Sequence, residues 1–592
     1  MDNEKRVLLA IILSIVVLFG YQSFFSPPPP KSAPQDQQQQ QSIDAPAELP
    51  VPRLQPPAPS MKIEKLAEPV EQVTDSYDSP VTITTNLFTA VFSSSRARLK
   101  SFQLHQYKDS IKSPALIQKI QQMFSSDTAE LQQPRDISFK ELIHVLQPVN
   151  LPLRAAFIDA SGSMGTLGAW QADKESLAIT GSNSNSLTFT QTDSSGLQMQ
   201  KQFVFSPDTY AIDLNITITN TAAAGREGSP FLEWTTPCPD TNGGGLFGGG
   251  TQDIPKFSYL IKDSVEEKDL AKIEDPETYD ASDILWTAIE EKYFTAAIVP
   301  TGDKPQQIRL TSDKRLVAYQ LLFPYIALPP GAQKTYTFSL YFGPKDIDIL
   351  NQQGHKLVKT VDFGFFDIIA KPMLLSLKFF YGFLGNYGLA IIIMTILIKL
   401  ILWPLTNKSM QSMKGMQKIQ PEVAELKEKY KDNKEEFTRQ QLELYKKYKV
   451  NPFGGCLPIL LQIPVFISFY RALMDSIELR HASFISFWIN DLSAKDPTYI
   501  TPVIMGASML LQQKMTPTTA DPAQAKMFMF MPVIFTVMFL NFPSGLVLYW
   551  LVNNVLSIAQ QVYINKKSHD AGGTEECSQS KSKPKRLKKR SQ

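Results

Sequence analysis

Lys399 stands inside the stretch YGLAIIIMTILIKLILWPLTNKSM, residues 387–410, which is otherwise apolar almost throughout. The apolar part, Tyr387 to Leu405, is long enough to cross a hydrocarbon core of about 30 Å, and Lys399 falls about 18 Å along it. An ammonium at that depth costs at least about 2.5–3.5 kcal/mol. Its side chain must therefore face a bundle interior, water or an anion, or else snorkel to the nearer surface. The other polar residues within apolar segments are Thr395, Gln462, Ser468, Ser508, Asn553 and Asn554, with Tyr549 and Trp550. Thr395 lies one helical turn before Lys399 and shares its face. Ion-coupled transport would use buried carboxylates, and no Asp or Glu lies at mid-depth. Ser544 sits in PSG rather than in a G-x-S-x-G elbow, and no histidine accompanies it, so hydrolysis has no nucleophile. A lone cation among amides and hydroxyls points instead to a wet, weakly polar pocket that attracts anionic or hydrated peptide.

Other chemistries are excluded by spacing. Cys238, Cys456 and Cys577 form no C-x-x-C pair, the five histidines are scattered, and neither a metal site nor a cofactor is expected. The cluster GGGLFGGG at 243–250 lacks the Lys-Ser/Thr of a phosphate loop and reads as a loop.

The elements that position these residues fall into two unlike halves of the 592-residue chain. Residues 1–25 place Lys5 and Arg6 before an apolar run ending in Tyr21, Phe24 and Phe25, which predicts a membrane anchor with a cytoplasmic N-terminus. Residues 26–74, rich in Pro and Gln, cannot bury a core and read as a disordered linker. Period-two alternation, as in Leu197–Phe205 (LQMQKQFVF), then predicts a large antiparallel β-sandwich over 75–350. Residues 365–383, broken by Asp367, Lys371, Pro372 and Lys378, suit a helix in the outer interface.

Five core spans follow over 365–565. Between the first two lies a polar helical hairpin, 407–450, whose Met410, Met413 and Met416 form an adaptable apolar stripe. Arg471 and Asp475, four apart, should pair locally. With the anchor this makes six crossings, both ends cytoplasmic and the sandwich outside, as the positive-inside rule requires. The tail, 566–592, ends in KSKPKRLKKRSQ and suits RNA or anionic headgroups.

The runs IIIMTILIKLILWPLTNKSMQSM, NPFGGCLPILLQIPVFISFYRAL, QQKMTPT and FMPVIFTVMFLNFPSGLVLYWLVNN resemble the YidC membrane protein insertase family over about residues 365–565. The anchor, linker and exported domain are similar to its Gram-negative form. The resemblance implies a non-enzymatic inner-membrane insertase and chaperone with six transmembrane helices, five of them forming a hydrophilic groove open to cytoplasm and lipid. In this sequence the groove residues would be Lys399, Thr395, Gln462, Asn553 and Asn554. Client helices would touch Ile463, Pro464, Phe466, Met538, Tyr549 and Trp550, with Gln462 at the start of that surface, and the methionines of the hairpin would catch the client. Implied partners are nascent membrane proteins, the Sec translocon, the ribosome and the bilayer, without a small-molecule substrate. The family usually has arginine where Lys399 stands; lysine keeps the charge but loses the planar fork. The exported domain would resemble a sugar-mutarotase-type sandwich. The alternatives are a membrane-anchored periplasmic sugar-binding or sugar-modifying protein and a solute transporter.

Overall fold

The computed structural model describes residues 78–110, 138–238 apart from 148–149, 160, 163 and 165–168, 255–313 apart from 274–275, 315–450 apart from 449, 457–515 and 522–579. The expected anchor, linker, glycine cluster, the NPFGGC segment at 451–456 and the basic end of the tail lie outside these residues.

Alternation of apolar and polar side chains does build strands. Leu197–Phe205, Ala211–Asn220 and Gln333–Pro344 pair antiparallel, with Leu214 opposite both Phe203 and Phe338. They form the middle of a nine-stranded sheet, accompanied by a six-stranded and a five-stranded sheet. The smaller sheets cover one face of the large one. Phe92 and Phe102 of the five-stranded sheet meet Phe203 and Phe342 at 4.8 and 5.2 Å, while Trp234 of the six-stranded sheet meets Phe342 at 5.5 Å. The sandwich is not wholly antiparallel, since Pro80–Thr84 pairs parallel with Ser176–Ala178. A long connection brings the second strand back in the same direction, which alternation within a strand cannot foretell.

The helical half begins at the edge of the sandwich. Helix α1 (Ile347–Gln353) is capped by Asp346, which accepts from the Asp348 and Ile349 amides. Helix α2 (Asp367–Leu384) buries Ala370, Met373, Leu374 and Leu377 and exposes Ile368, Phe379 and Phe383. Lys378 on its far side reaches Asp346 at 3.4 Å, Asp348 at 2.5 Å and Glu478 at 3.2 Å. One cation thus ties α2 to the sandwich and to the loop at 476–499.

Helix α3 (Tyr387–Lys418) runs unbroken for 32 residues, so Met410, Met413 and Met416 lie on its last turns and not on a separate hairpin helix. The switch from apolar to polar composition at Asn407 changes what surrounds a helix, not its backbone. Pro404 does not end it either; the Thr406 hydroxyl back-bonds to the Leu402 and Trp403 carbonyls across that turn. The chain breaks where Pro421 enters. There α4 (Gln420–Lys429) starts, and α5 (Lys434–Lys447) returns after Asn433 caps it through the Glu436 amide. Tyr448 donates to Glu422 at 2.5 Å and closes this hairpin on itself.

Four more helices complete the core: α6 (Leu457–Asp475), α7 (Ile500–Met515), α8 (Pro522–Phe539) and α9 (Ser544–Gln579). By length and hydropathy only α3, among the described residues, qualifies as a membrane crossing, against six expected, with Met529–Phe539 a shorter apolar helix. Helix α7, at 16 residues, is about 24 Å long, short of a 30 Å core. Arg471 and Asp475 pair at 3.5 Å as their spacing requires.

The loop at 476–499 is a packed platform. Buried Asp496 accepts from the Thr498 and Thr501 amides and from Trp488 Nε1, which fixes the start of α7. Asn386 donates to the Phe484 carbonyl at the start of α3; Ser544 and Gly545 donate to the Asp491 and Leu492 carbonyls at the start of α9. Helices α3, α7 and α9 therefore lead away from the platform, while α6 returns to it and α8 returns to the adjoining turn. Arg480 carries the platform onto the sandwich, donating to the Asp109 carbonyl and lying over the Tyr293 and Phe294 rings.

Gly388 lets α3 seat against the platform, because a Cβ there would stand 2.1 Å from the Phe484 ring. Gly388→Ala should cost about 1–3 kcal/mol through overpacking and lower the melting temperature of the purified protein; an unchanged midpoint would contradict this seating. A pH dependence follows from Glu478, whose carboxyl burial pushes above its ordinary 4.5 despite the opposing pull of Lys378. The folded state holds that proton more tightly than the unfolded chain, so the contribution is complete below pH 4.5 and fades as pH rises through the raised value. In pH-scanned melting, Glu478→Gln should remove that part of the decline, and matching curves for variant and parent would refute it.

Candidate functional site

The inner stripe of α3 carries Ile391, Thr395, Lys399, Thr406 and Ser409, all buried, at helical spacing. Its upper part is closed locally: the Thr395 hydroxyl donates to the Ile391 carbonyl of its own helix, on the face shared with Lys399. The ammonium of Lys399 then turns inward. Its Nζ donates to Ser557 Oγ at 2.6 Å and to Asn553 Oδ1 at 3.3 Å, and the residue is 9% exposed. Ser557 in turn donates to the Asn553 carbonyl at 2.7 Å, which commits its own proton and leaves its oxygen free to accept. Snorkelling is thereby replaced by a cage of neutral oxygens.

The seam continues beyond the lysine. Gln560 donates to Thr406 Oγ1 at 2.9 Å, and Lys414 donates to the Ile564 carbonyl at 3.0 Å. Later residues of α3 meet later residues of α9, so the two helices run parallel. On its other side α9 bonds to α7, through Asn554 to Ser508 at 3.1 Å and Gln561 to the Met515 carbonyl at 2.5 Å. Helix α9 is thus a wedge, polar on both flanks from Asn553 onward. Its backbone lies close along α7, whereas α3 is reached through long side chains.

The remaining expected residues take different places. Gln462 hydrogen-bonds to the Tyr549 hydroxyl. Tyr549 is 1% exposed and packs 4.6 Å from Phe469, inside the core. Phe466 meets Trp550 edge-on at 4.9 Å, and Trp550 also lies tilted against Phe539 at 5.3 Å. Phe466, Ile463, Pro464 and Trp550 are half-buried, and Met538 is exposed. Of the groove residues, Lys399 and Asn553 come together, Asn554 faces α7, and Gln462 belongs to the aromatic cluster. Ser557, Gln560, Gln561 and Thr406 were not foreseen. The signal was present in NNVLSIAQQ, residues 553–561, where Asn553, Ser557 and Gln560 recur at i, i+4 and i+7 and Asn554, Ser557 and Gln561 at i, i+3 and i+7.

A β-sandwich braced on helices that enclose a polar seam describes a membrane protein that handles polar groups at depth. The model of the 60Kd inner membrane protein family matches residues 379–571, and that of the YidC periplasmic domain matches residues 154–376. A relative from Syntrophus aciditrophicus (strain SB), a membrane protein insertase YidC, is 41% identical over 572 residues, covering 95% of this chain and 100% of its own. Among solved structures, an active YidC insertase with its first transmembrane domain resolved is 18% identical, covers 81% of this chain and 94% of its own, and gives a TM-score of 0.33. A galactose mutarotase related enzyme from Lactobacillus acidophilus is 12% identical over 44% of this chain and 97% of its own, with a TM-score of 0.29. The chain belongs to the YidC membrane protein insertase family, with its β-rich periplasmic domain.

Ser557→Ala should destabilise the protein by about 1–3 kcal/mol, because it strips a buried ammonium of its shorter bond. With Lys399→Met as the second change, the double variant should lose less than the sum of the two. Strict additivity in denaturant melts would show that the pair does not interact.

Proposed function

We propose that this membrane protein insertase receives the short polar tail of a nascent client at Lys399 and releases the client's apolar helix sideways into lipid. The observation that carries this reading is the character of the lysine's partners. Among the described residues they are an amide and a hydroxyl, with no carboxylate, so the positive charge is solvated without being neutralised. An acidic or carbonyl-rich segment can replace those oxygens at small cost, whereas a salt bridge would have to be broken. The client's helix then supplies the drive, about 25 cal/mol per Å² of apolar surface leaving water. No nucleotide or cofactor is needed.

The alternating directions of α3, α6, α7, α8 and α9 support five crossings, and the N-terminal apolar run would make six, with both ends cytoplasmic and the sandwich in the periplasm. In this arrangement α2 lies in the outer interface with Phe379 and Phe383 toward lipid. Helices of the client would leave along Ile463, Pro464, Phe466, Met538 and Trp550, with Tyr549 and Gln462 supporting that surface from behind. Met410, Met413 and Met416 at the end of α3, with the hairpin that follows, offer an adaptable first contact for the client. The basic tail suits the ribosome or anionic headgroups in a salt-dependent way, and the periplasmic domain suits a role beside the Sec translocon.

Crosslinking of a stalled nascent membrane helix from photoreactive residues placed in turn at Phe466, Met538, Trp550, Leu400 and Val555 tests the exit path; adducts confined to the outward-facing Leu400 and Val555 would refute it. For the charge, Lys399→Glu should lower insertion of clients with acidic tails by about tenfold relative to Lys399→Arg, equivalent to about 1.4 kcal/mol. Equal, normal insertion by both variants would remove the electrostatic role.

A further inference from the structure

The α3–α9 seam contains one group that the closed arrangement leaves unsatisfied. Gln560 is 1% exposed, and its Oε1 has no hydrogen-bond partner among the described residues. Its orientation is not interchangeable. The Thr406 hydroxyl already donates to the Leu402 and Trp403 carbonyls, so towards Gln560 it can only accept. The amide nitrogen must therefore face Thr406, as it does at 2.9 Å, and the carbonyl oxygen is the group left over. A stranded buried acceptor is costly, and such groups in native folds call for an explanation.

We infer that Gln560 is a second client-binding position, whose carbonyl accepts a hydrogen bond from a peptide N–H of the translocating polar tail. This rests on the reading of Lys399 as the first. Thr406 lies seven residues beyond Lys399, about 10 Å further along α3, so an extended tail of about three residues spans both positions. The two are chemically complementary. Lys399 offers donors to carbonyls and carboxylates, while Gln560 offers an acceptor to backbone amides. The seam can admit a chain because each of its hydrogen bonds is reached by one long side chain, Lys399, Lys414 or Gln560, and the α3 and α9 backbones are not closely packed there. Opening it exposes the bonds at Lys399 to exchange and at the same time gives the Gln560 carbonyl a partner it lacked.

The test uses the full-length protein in liposomes, with a photoreactive residue in the polar tail of the client, and compares Gln560→Leu, the double variant Gln560→Leu/Thr406→Val and Lys399→Glu. For the first two, tail adducts to α9 and insertion of clients with uncharged polar tails should fall several-fold, while the melting temperature holds or rises because a buried orphan is gone. Should the single variant fail to fold, the double variant, which removes both polar groups together, decides the matter. Normal insertion by a folded Gln560 variant, with Lys399→Glu still defective, overturns the inference and leaves the proposed function standing; a buried water would then be the partner of Gln560. Normal insertion by all three variants overturns both.

Discussion

An ammonium cannot be taken out of water without replacement acceptors, and that constraint organises the helical half. Lys399 obtains them from Ser557 and Asn553, which are one turn apart on α9 and act as a unit because Ser557 also donates to the Asn553 carbonyl. The arrangement requires α9 to be held in register with α3 to within one residue. The same solution occurs in the sandwich, where Lys201 donates to the Ala97 and Leu153 carbonyls at 2.9 and 2.7 Å and lies over Trp170. In both places the ammonium donates to neutral oxygens, yet the consequences differ. The carbonyls of Ala97 and Leu153 belong to the backbone just before two strands and are fixed by it, while side chains on a helix can move aside.

Register between α3 and α9 is set at the platform, not along the seam. Asn386, Ser544 and Gly545 bond directly to platform carbonyls, and Asp496 gathers the backbone amides and hydroxyls at the start of α7. Arg480 and Lys378 then fasten this platform and α2 to the sandwich. The periplasmic domain is thus more than a passenger on a tether: its Asp346 both caps α1 and helps anchor α2 through Lys378.

Much of this was legible beforehand. The strands at Leu197–Phe205 and Gln333–Pro344 follow from strict alternation, since only one face of each meets the core. Lys399 itself could be singled out because a charge in an apolar run has few physical solutions. What the chain did not disclose depended on distance along it. The parallel pairing of Pro80–Thr84 with Ser176–Ala178 joins segments far apart, and alternation carries no information about partners. Helix α3 outlasts its apolar composition because hydropathy reports surroundings, not backbone geometry. Tyr549 reads equally well as a contact or as core, and only the nearness of Phe469 and Gln462 decides. In NNVLSIAQQ only Asn553 and Asn554 stand out, because serine and glutamines nearer a helix end are ordinary on a solvated face.

Both α3 and α9 are pinned at their first residues to one loop, and beyond Lys399 they meet through the side chains of Gln560 and Lys414. Two rods fixed side by side at one end behave as tongs: they can part only by swinging about that pivot. The gap then widens in proportion to the distance from it. Asn553 stands about 14 Å along α9 and Gln560 about 24 Å, so a small tilt that barely disturbs the first would carry the second nearly twice as far.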